Sequence, residues 1–146
     1  MDQADAGKYK INYAEWVFDD VNPVYAQLRD NLKCSILSGQ LQPGESIPSI
    51  REMSSILRIS ANTVARAYRL IKAEGLIDLA EGSIYRIISD NIAIQKIRAQ
   101  EVRMLCCNYI RGMITLGFDK KELLTLFEFN VQRYSEHIPV FQEENL

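Results

Sequence analysis

The chain of 146 residues is poor in the residue types that build metal centres and disulfide frameworks. It holds three cysteines, Cys34, Cys106 and Cys107, none at a C-x-x-C spacing, and one histidine, His137. Cys106 and Cys107 make a poor metal pair because neighbouring residues on a helix point in different directions. We therefore expect buried or half-buried thiols in a reducing compartment, a surface histidine, no metal and no cofactor.

Long apolar runs and catalytic motifs are also missing. No segment approaches the roughly 20 apolar residues of a membrane-spanning helix, and no basic-then-apolar signal opens the sequence. A cytoplasmic protein without a membrane partner is therefore expected. The sequence has no phosphate-binding glycine loop and no H-E-x-x-H motif, and no nucleophile stands at a recognisable spacing from His137. These absences argue against an enzyme.

Two short helices joined by a tight turn are predicted between Pro43 and Gly75. Ser49 and Glu52 have the spacing of an S-x-x-E capping box, which satisfies two orphan backbone donors at a helix start. After a short turn, Ser60 can cap the second helix, Ala61–Ala73. Apolar residues at i, i+3, i+4 and i+7 give this helix a core-facing stripe: Val64, Ala67, Tyr68 and Ile71.

The opposite face of the second helix carries Asn62, Arg66 and Arg69, with Thr63 beside them. Polar and cationic groups at this end of a helix-turn-helix reach base edges and phosphates in the major groove. A solvated surface face is the alternative. The net charge is only −2, but cations are concentrated between Ile50 and Ala73, where a single carboxylate, Glu52, accompanies five of them. They are Arg51, Arg58, Arg66, Arg69 and Lys72.

The flanking segments predict a third helix and a hairpin. Asn22 caps a helix with Pro23 at its first position, and Gly39 ends it. After Gly75, two strands cover residues 76–79 and 84–88, and Gly82 supplies the turn between them. An aromatic cluster before residue 19 packs either on this domain or across a dimer, and simple core packing is the preferred alternative.

From residue 92 the pattern is helical, and Asp119-x-x-Glu122 forms a second capping box before a last helix that Pro139 stops. Two amphipathic helices cannot bury their stripes on each other alone, so we favour a homodimer over a ligand-binding module or an extension of the core. A pocket between subunits stays open as an alternative. The expected dimerisation residues are Ile97, Leu105, Tyr109, Met113, Leu123 and Phe127.

The sequence resembles the winged-helix domain of GntR-type bacterial transcription regulators, and the Asn-Thr-Val-x-Arg-Ala-Tyr run with a short helical tail is most similar to the YtrA-like branch. The resemblance is carried by these runs: Pro23-Val24-Tyr25-x-Gln27-Leu28, Ser38-Gly39-x-Leu41-x-Pro43-Gly44, Pro48-Ser49-x-Arg51, Asn62-Thr63-Val64, Arg66-Ala67-Tyr68 and Glu74-Gly75-Leu76-Ile77. It implies a mainly α fold with a small β-wing, and a two-helix dimerisation tail. The expected domains are an extension (1–21), a winged helix-turn-helix domain (22–90) and the tail (91–146).

The function implied is sequence-specific DNA binding by a homodimer at an inverted-repeat operator, usually with repression as the outcome, and with a small-molecule effector left open. The expected DNA-binding residues are Ser49, Arg51, Ser60, Asn62, Thr63, Arg66, Arg69 and Gly82. The wing departs from the family pattern, since Ala80 and Glu81 stand where a cationic or polar residue is usual and Ile84 where a second glycine is usual. This departure motivates the alternative of a protein-protein interaction module with weakened DNA binding.

Overall fold

The computed structural model describes residues 7–135, which contain five α-helices and one antiparallel pair of strands. The elements are α1 (Val24–Leu37), α2 (Ile50–Leu57), α3 (Ala61–Ala73), β1 (Ile77–Ala80), β2 (Ile84–Ile87), α4 (Asn91–Thr115) and α5 (Lys120–Ser135). The prediction of a mainly α fold with a small β-wing is confirmed. The chain divides into two compact units, and the division falls between Ala99 and Gln100.

The core of the first unit lies between α1 and α3. The two helices contribute seven buried side chains, of which the four on α3 are those of its predicted stripe: Leu28, Leu32, Ile36, Val64, Ala67, Tyr68 and Ile71. The hydroxyl of Tyr68 donates to the carbonyl oxygen of Pro48 at 2.7 Å, so its polar end is satisfied inside the core. This bond ties the middle of α3 to the residue two positions before α2.

The helix-turn-helix forms as its local sequence predicts. The backbone N–H of Glu52 donates to Ser49 Oγ at 3.1 Å, and the N–H of Ser49 donates to Glu52 Oε1 at 3.3 Å, which completes the capping box. α2 ends at Leu57 because Arg58 adopts a left-handed conformation with φ of 56°. Ser60 then caps α3 by accepting from the N–H of Thr63 at 3.1 Å.

The predicted start of α1 is wrong by one residue. Pro23 is the N-cap, with an extended ψ of 134°, and its side chain makes no capping bond, so the helix begins at Val24. Asn22 does not cap the helix. Its carbonyl oxygen instead accepts from Gln27 Nε2 at 2.7 Å, and the Gln27 side chain also accepts from the backbone N–H of Asp19. The Gln27 amide therefore fixes the approach of the chain to α1.

The wing is a short hairpin whose strands pair from Ile77↔Ile87 to Ala80↔Ile84, within one residue of the predicted bounds. Residues 81–83 form a 3-10 turn, in which Gly82 has φ of 74° and Ser83 has φ of 60°. The turn thus uses the positive φ that glycine adopts at no steric cost. The segment before α2 lies along β2, because the N–H of Ile47 donates to the carbonyl of Tyr85 at 2.9 Å.

The N-terminal segment packs on the first unit. Tyr13 begins a single 3-10 turn and is buried in the core. Its ring makes edge contacts with Tyr9, at 5.9 Å between centroids, and with Trp16, at 5.0 Å. Core packing, the preferred alternative for this aromatic cluster, is therefore what the structure has.

The second unit holds the end of α4 and all of α5. The Asp119–Glu122 capping box forms with both bonds at 2.9 Å. Tyr109 and Phe127 make an edge contact at 5.7 Å, and the Tyr109 hydroxyl donates to the carbonyl of Leu123 at 3.3 Å. Leu123 is buried, whereas many large apolar residues of the unit are exposed: Val102, Met104, Leu105, Ile110, Ile114, Leu116, Leu124, Phe127, Phe129, Val131 and Tyr134.

The expectation of buried or half-buried thiols is wrong. Cys34, Cys106 and Cys107 are all exposed, because they lie on the outer surfaces of α1 and α4. His137 and Pro139 lie outside the described residues. Within residues 7–135, no helix is long and apolar enough to cross a bilayer, and no cluster of His, Cys, Asp and Glu could hold a metal ion.

Candidate nucleic-acid interface

The outer face of α3 is open along its length. Asn62, Arg66 and Arg69 are exposed, whereas the four apolar residues on the opposite face are buried. The helix is therefore anchored on one side and presents an amide and two guanidinium groups on the other. The structure brings these three predicted residues onto one surface of one rigid element.

The N-terminus of α3 is organised by Ser60 and Thr63. Ser60 Oγ lies 2.7 Å from Thr63 Oγ1 and also accepts from the Thr63 N–H. Each hydroxyl thus has a partner within the helix, while Ser60 remains exposed and Thr63 half-buried. Backbone N–H groups at a helix start, together with hydroxyls, bind phosphate oxygens well.

Arg66 stacks on an aromatic ring, and this contact was not predicted from the sequence. Its guanidinium carbon lies 3.7 Å from the centroid of the Tyr25 ring, which belongs to α1. Such stacking holds the guanidinium plane while the N–H groups at its edge stay free to form bidentate bonds. Tyr25 therefore orients the side chain that we expect to read a base.

The N-terminus of α2 carries the second group of predicted residues. Ser49 belongs to the capping box, and Arg51 is exposed in the first turn. The carboxylate of Glu52 accepts there from Lys8 Nζ at 2.8 Å and from the Tyr9 hydroxyl at 2.9 Å. The hydrogen bond from the Lys8 ammonium, followed by those from Tyr9 and Ser49, lowers the pKa of Glu52 from 4.5 to about 2.

The wing tip offers little positive charge. Glu81, Gly82 and Ser83 are exposed at the turn. Arg86 could have compensated, but its Nη1 donates to the carbonyl of Gly44 at 3.3 Å, so it is engaged at the base of the hairpin. Phosphates would repel the carboxylate of Glu81 at the tip. Gly82 lies in this turn, on a separate element from the predicted residues of α2 and α3.

The expected dimerisation residues are divided between the two units. Ile97 packs against the core of the first unit. Tyr109 contacts Leu123 and Phe127 in the second unit, where Leu105 is exposed and Met113 half-buried. A cavity of about 280 Å³ in that unit is lined by Tyr109, Phe127, Asn130, Val131 and Tyr134.

Comparison with known proteins points to one family. Residues 24–87 match the sequence profile described as "Bacterial regulatory proteins, gntR family". The chain is 25% identical to the uncharacterized HTH-type transcriptional regulator YhcF of Bacillus subtilis over 73% of this chain and 88% of that protein. It is 37% identical to the HTH-type transcriptional repressor YtrA of the same organism, over 41% of this chain and 46% of that protein.

A solved structure shows the same fold over most of the chain. A GntR family transcriptional regulator from Listeria monocytogenes is similar with a TM-score of 0.71 and 25% identity, covering 76% of this chain and 97% of that one. The sequence resemblance is thereby confirmed. These relatives are named as regulators of transcription, which agrees with the expectation of a non-enzymatic protein.

Proposed function

We propose that this chain, a transcriptional regulator whose residues 24–87 form the DNA-binding winged-helix domain of the GntR family, represses transcription by binding an inverted-repeat operator as a homodimer. The observation that carries the proposal is the open outer face of α3. Its Asn62, Arg66 and Arg69 are exposed on a helix whose other side is fully anchored in the core. This is the form in which a recognition helix enters a major groove.

The proposed contacts are of two kinds: some read the base sequence, and others position the protein on the DNA backbone. Asn62 bonds a base edge near the helix start, and Arg66, held by Tyr25, pairs with a guanine. The remaining predicted residues of α2 and α3 and their caps contact the DNA backbone and set the register: Ser49, Arg51, Ser60, Thr63 and Arg69. Phosphate contacts of this kind supply affinity, whereas the two reading residues supply the sequence preference.

Exposed apolar surface on the second unit supports a homodimer. Leu105 is 68% exposed and Phe127 is 52% exposed, although both belong to the apolar stripes of their helices. Large apolar patches of this kind mark protein interfaces, and a second copy of the chain presents the same surface. We assign Leu105, Tyr109, Met113, Leu123 and Phe127 to this interface.

A dimer dictates the form of the operator. Two-fold symmetry of the protein requires a two-fold sequence, with half-sites about 34–36 Å apart if they lie one duplex turn apart. Repression follows when the bound dimer occupies the path of the polymerase.

A regulator of this kind acts on chromosomal DNA, so we place it in the cytoplasm. A small-molecule effector that binds between the subunits would be its natural control.

Selection of bound duplexes from a random pool tests the proposal. The wild-type chain should enrich a palindromic sequence, and Arg66→Ala should weaken binding by about 1 to 3 kcal/mol and relax one position of each half-site. Arg98→Ala, which removes an exposed arginine on α4, is the matched control and should enrich the wild-type sequence. Enrichment of no duplex, or of sequences without two-fold symmetry, would contradict the proposal.

The acidic wing favours one alternative, a protein-protein interaction module with weakened DNA binding. Glu81 is at the tip, and Leu79 and Ile84 are exposed beside it. A salt series separates the two functions. A DNA-binding regulator loses affinity by about 0.9 in log K per phosphate neutralised for each tenfold rise in salt, whereas a flat response would favour the interaction module.

A further inference from the structure

Glu52 is the acidic residue of the helix-turn-helix, and its carboxylate is closely surrounded. It accepts hydrogen bonds from Lys8 Nζ at 2.8 Å, from the Tyr9 hydroxyl at 2.9 Å and from the Ser49 N–H at 3.3 Å. Two of these three donors, Lys8 and Tyr9, belong to the N-terminal segment, residues 7–18, and lie more than 40 positions before Glu52 in the chain. The segment thus supplies the cation that offsets this carboxylate.

The N-terminal segment is held in place independently of that ion pair. Tyr13 is buried in the core, and its ring contacts Tyr9 and Trp16 edge-on. Ile11 and Phe18 also pack against the core. Lys8 and Tyr9 are therefore delivered to Glu52 by an anchored aromatic cluster, whereas a lone flexible lysine would give a weak and transient surface pair.

The position of Glu52 matters because of its neighbours. Ser49 and Arg51, which we assign to phosphate contacts, flank it in the first turn of α2. An uncompensated carboxylate within several ångströms of a phosphate repels it, because like charges interact over the Debye length of about 8 to 10 Å. A carboxylate that is paired with an ammonium group has little net charge to repel it.

We propose that the N-terminal segment is part of the DNA-binding surface: Lys8 offsets the charge of Glu52 and Tyr9 donates a hydrogen bond to its carboxylate, so that a phosphate of the operator can lie at the start of α2. This inference rests on the proposed function. It assigns residues outside the 24–87 domain to DNA binding, and it gives Lys8 and Tyr9 a positioning role in which neither touches the DNA.

Rescue by a second substitution tests this role. Lys8→Ala should weaken binding to the selected operator about 3- to 10-fold at 50 to 100 mM salt, because Glu52 then faces the phosphate uncompensated. Glu52→Gln keeps a residue that serves in a capping box but carries no charge. The double variant Lys8→Ala/Glu52→Gln should therefore bind within about twofold of Glu52→Gln alone, since rescue removes the charge that Lys8 offsets.

Controls separate this role from two others. Lys10→Ala removes an exposed cation of the same segment and should change binding by less than about twofold, while Lys8→Arg should bind like the wild type. The slope of log K against log salt should be the same in Lys8→Ala/Glu52→Gln as in Glu52→Gln, because loss of a direct phosphate contact by Lys8 would reduce it by about 0.9. Thermal unfolding of Lys8→Ala well above the assay temperature would show that the lost binding does not come from unfolding.

Three results would overturn the inference. A double variant as weak as Lys8→Ala alone, or one whose salt slope is lower than that of Glu52→Gln by one phosphate, would make Lys8 a direct DNA contact. Equal binding by Lys8→Ala and the wild type would remove the segment from DNA binding altogether. Failure of the wild-type chain to bind any selected duplex would instead refute the proposed function, so the two failures are distinguishable.

Discussion

The two units of the chain use the same kind of amphipathic helix with opposite results. In the first unit the stripes of α1 and α3 are buried against each other, and fifteen apolar residues form one core cluster. In the second unit only Leu123 is buried among the described residues, although α4 and α5 also carry many large apolar residues. The first unit therefore has the contacts that it needs to fold, whereas the second still exposes the surface that would stabilise it.

This difference shows what amphipathic periodicity does and does not indicate. A stripe at helical spacing predicts that a face will be covered, but it does not say by which part of which molecule. In α3 the cover comes from α1, which lies within the same unit. In the second unit the described residues leave the stripe exposed, and a second subunit is our proposed cover.

The largest expected effect is on assembly. Leu105→Glu should raise the dissociation constant of the dimer about 100-fold or more, because an unpaired charge in an apolar interface costs several kcal/mol. Sedimentation velocity over a concentration series measures this. Gln100→Glu adds the same charge at an exposed polar position of α4 and should leave the dimer unchanged. A dimer that survives Leu105→Glu would show that this surface serves another purpose.

A matched pair of truncations compares the units directly. Leu32 is fully buried, so Leu32→Ala should cost about 2 to 5 kcal/mol of unfolding free energy through lost transfer energy and a cavity. Leu105 is exposed in the single chain, so Leu105→Ala should cost less than about 0.5 kcal/mol for the monomer. Denaturant unfolding at low protein concentration measures both.

If the chain forms a dimer, protein concentration should affect the stability costs of Leu32→Ala and Leu105→Ala differently. Raising the protein concentration should leave the cost of Leu32→Ala nearly constant, while the cost of Leu105→Ala should grow as the interface forms. Equal costs for both substitutions at every concentration would mean that the two stripes are covered alike and that the comparison is wrong.

A smaller effect is expected at two tyrosine hydroxyls. Tyr68→Phe leaves the carbonyl of Pro48 buried without its 2.7 Å donor, which should cost about 1 to 3 kcal/mol. Tyr109→Phe removes a longer bond, 3.3 Å to the carbonyl of Leu123, at a partly buried site, and should cost less than about 1 kcal/mol. Urea unfolding of the two variants against the wild type gives both values, and a larger loss at Tyr109 would reverse the ranking.

Local features of the fold were predictable because their causes are local. Both capping boxes formed, at Ser49–Glu52 and at Asp119–Glu122, and α3 has its predicted bounds. Each depends on residues a few positions apart, whose side chains satisfy nearby backbone groups whatever the tertiary structure. The same reasoning missed the start of α1, where Gln27 reaches back five residues to the carbonyl of Asn22.

Contacts between distant segments were not predictable from spacing. The stack of Arg66 on Tyr25 and the bond of Lys8 to Glu52 join residues about 40 positions apart, and only the packing of the helices creates them. The cysteines were misjudged for a related reason. Their expected burial came from the average behaviour of the residue type, whereas their exposure depends on which side of α1 and α4 packs. The proposed DNA-binding residues on α3 could be grouped from the sequence because one helix carries them all.

The smallest expected effect is on the pH dependence of stability when Glu52, in the first capping box, is replaced by the uncharged Gln. Lys8, with Tyr9 and Ser49, lowers the pKa of folded Glu52 from 4.5 to about 2, so the folded state favours the carboxylate. Its contribution to stability is therefore complete above pH 4.5 and is lost as the pH falls toward 2. The unfolding free energies of the wild type and Glu52→Gln should converge over that range.

Exposure to solvent limits the difference in unfolding free energy between the wild type and Glu52→Gln. The Glu52 side chain is 32% exposed and that of Lys8 is 53% exposed, so the difference at neutral pH should stay below about 1 kcal/mol. Urea unfolding from pH 6 to pH 2 measures it, with Lys8→Ala as a third chain whose pH dependence should be weaker than that of the wild type. A difference between wild type and Glu52→Gln that does not change with pH would mean that Lys8 and Tyr9 are not bound to Glu52 in solution. The first unit would then hold its N-terminal segment by apolar packing alone, through Tyr13, Ile11 and Phe18.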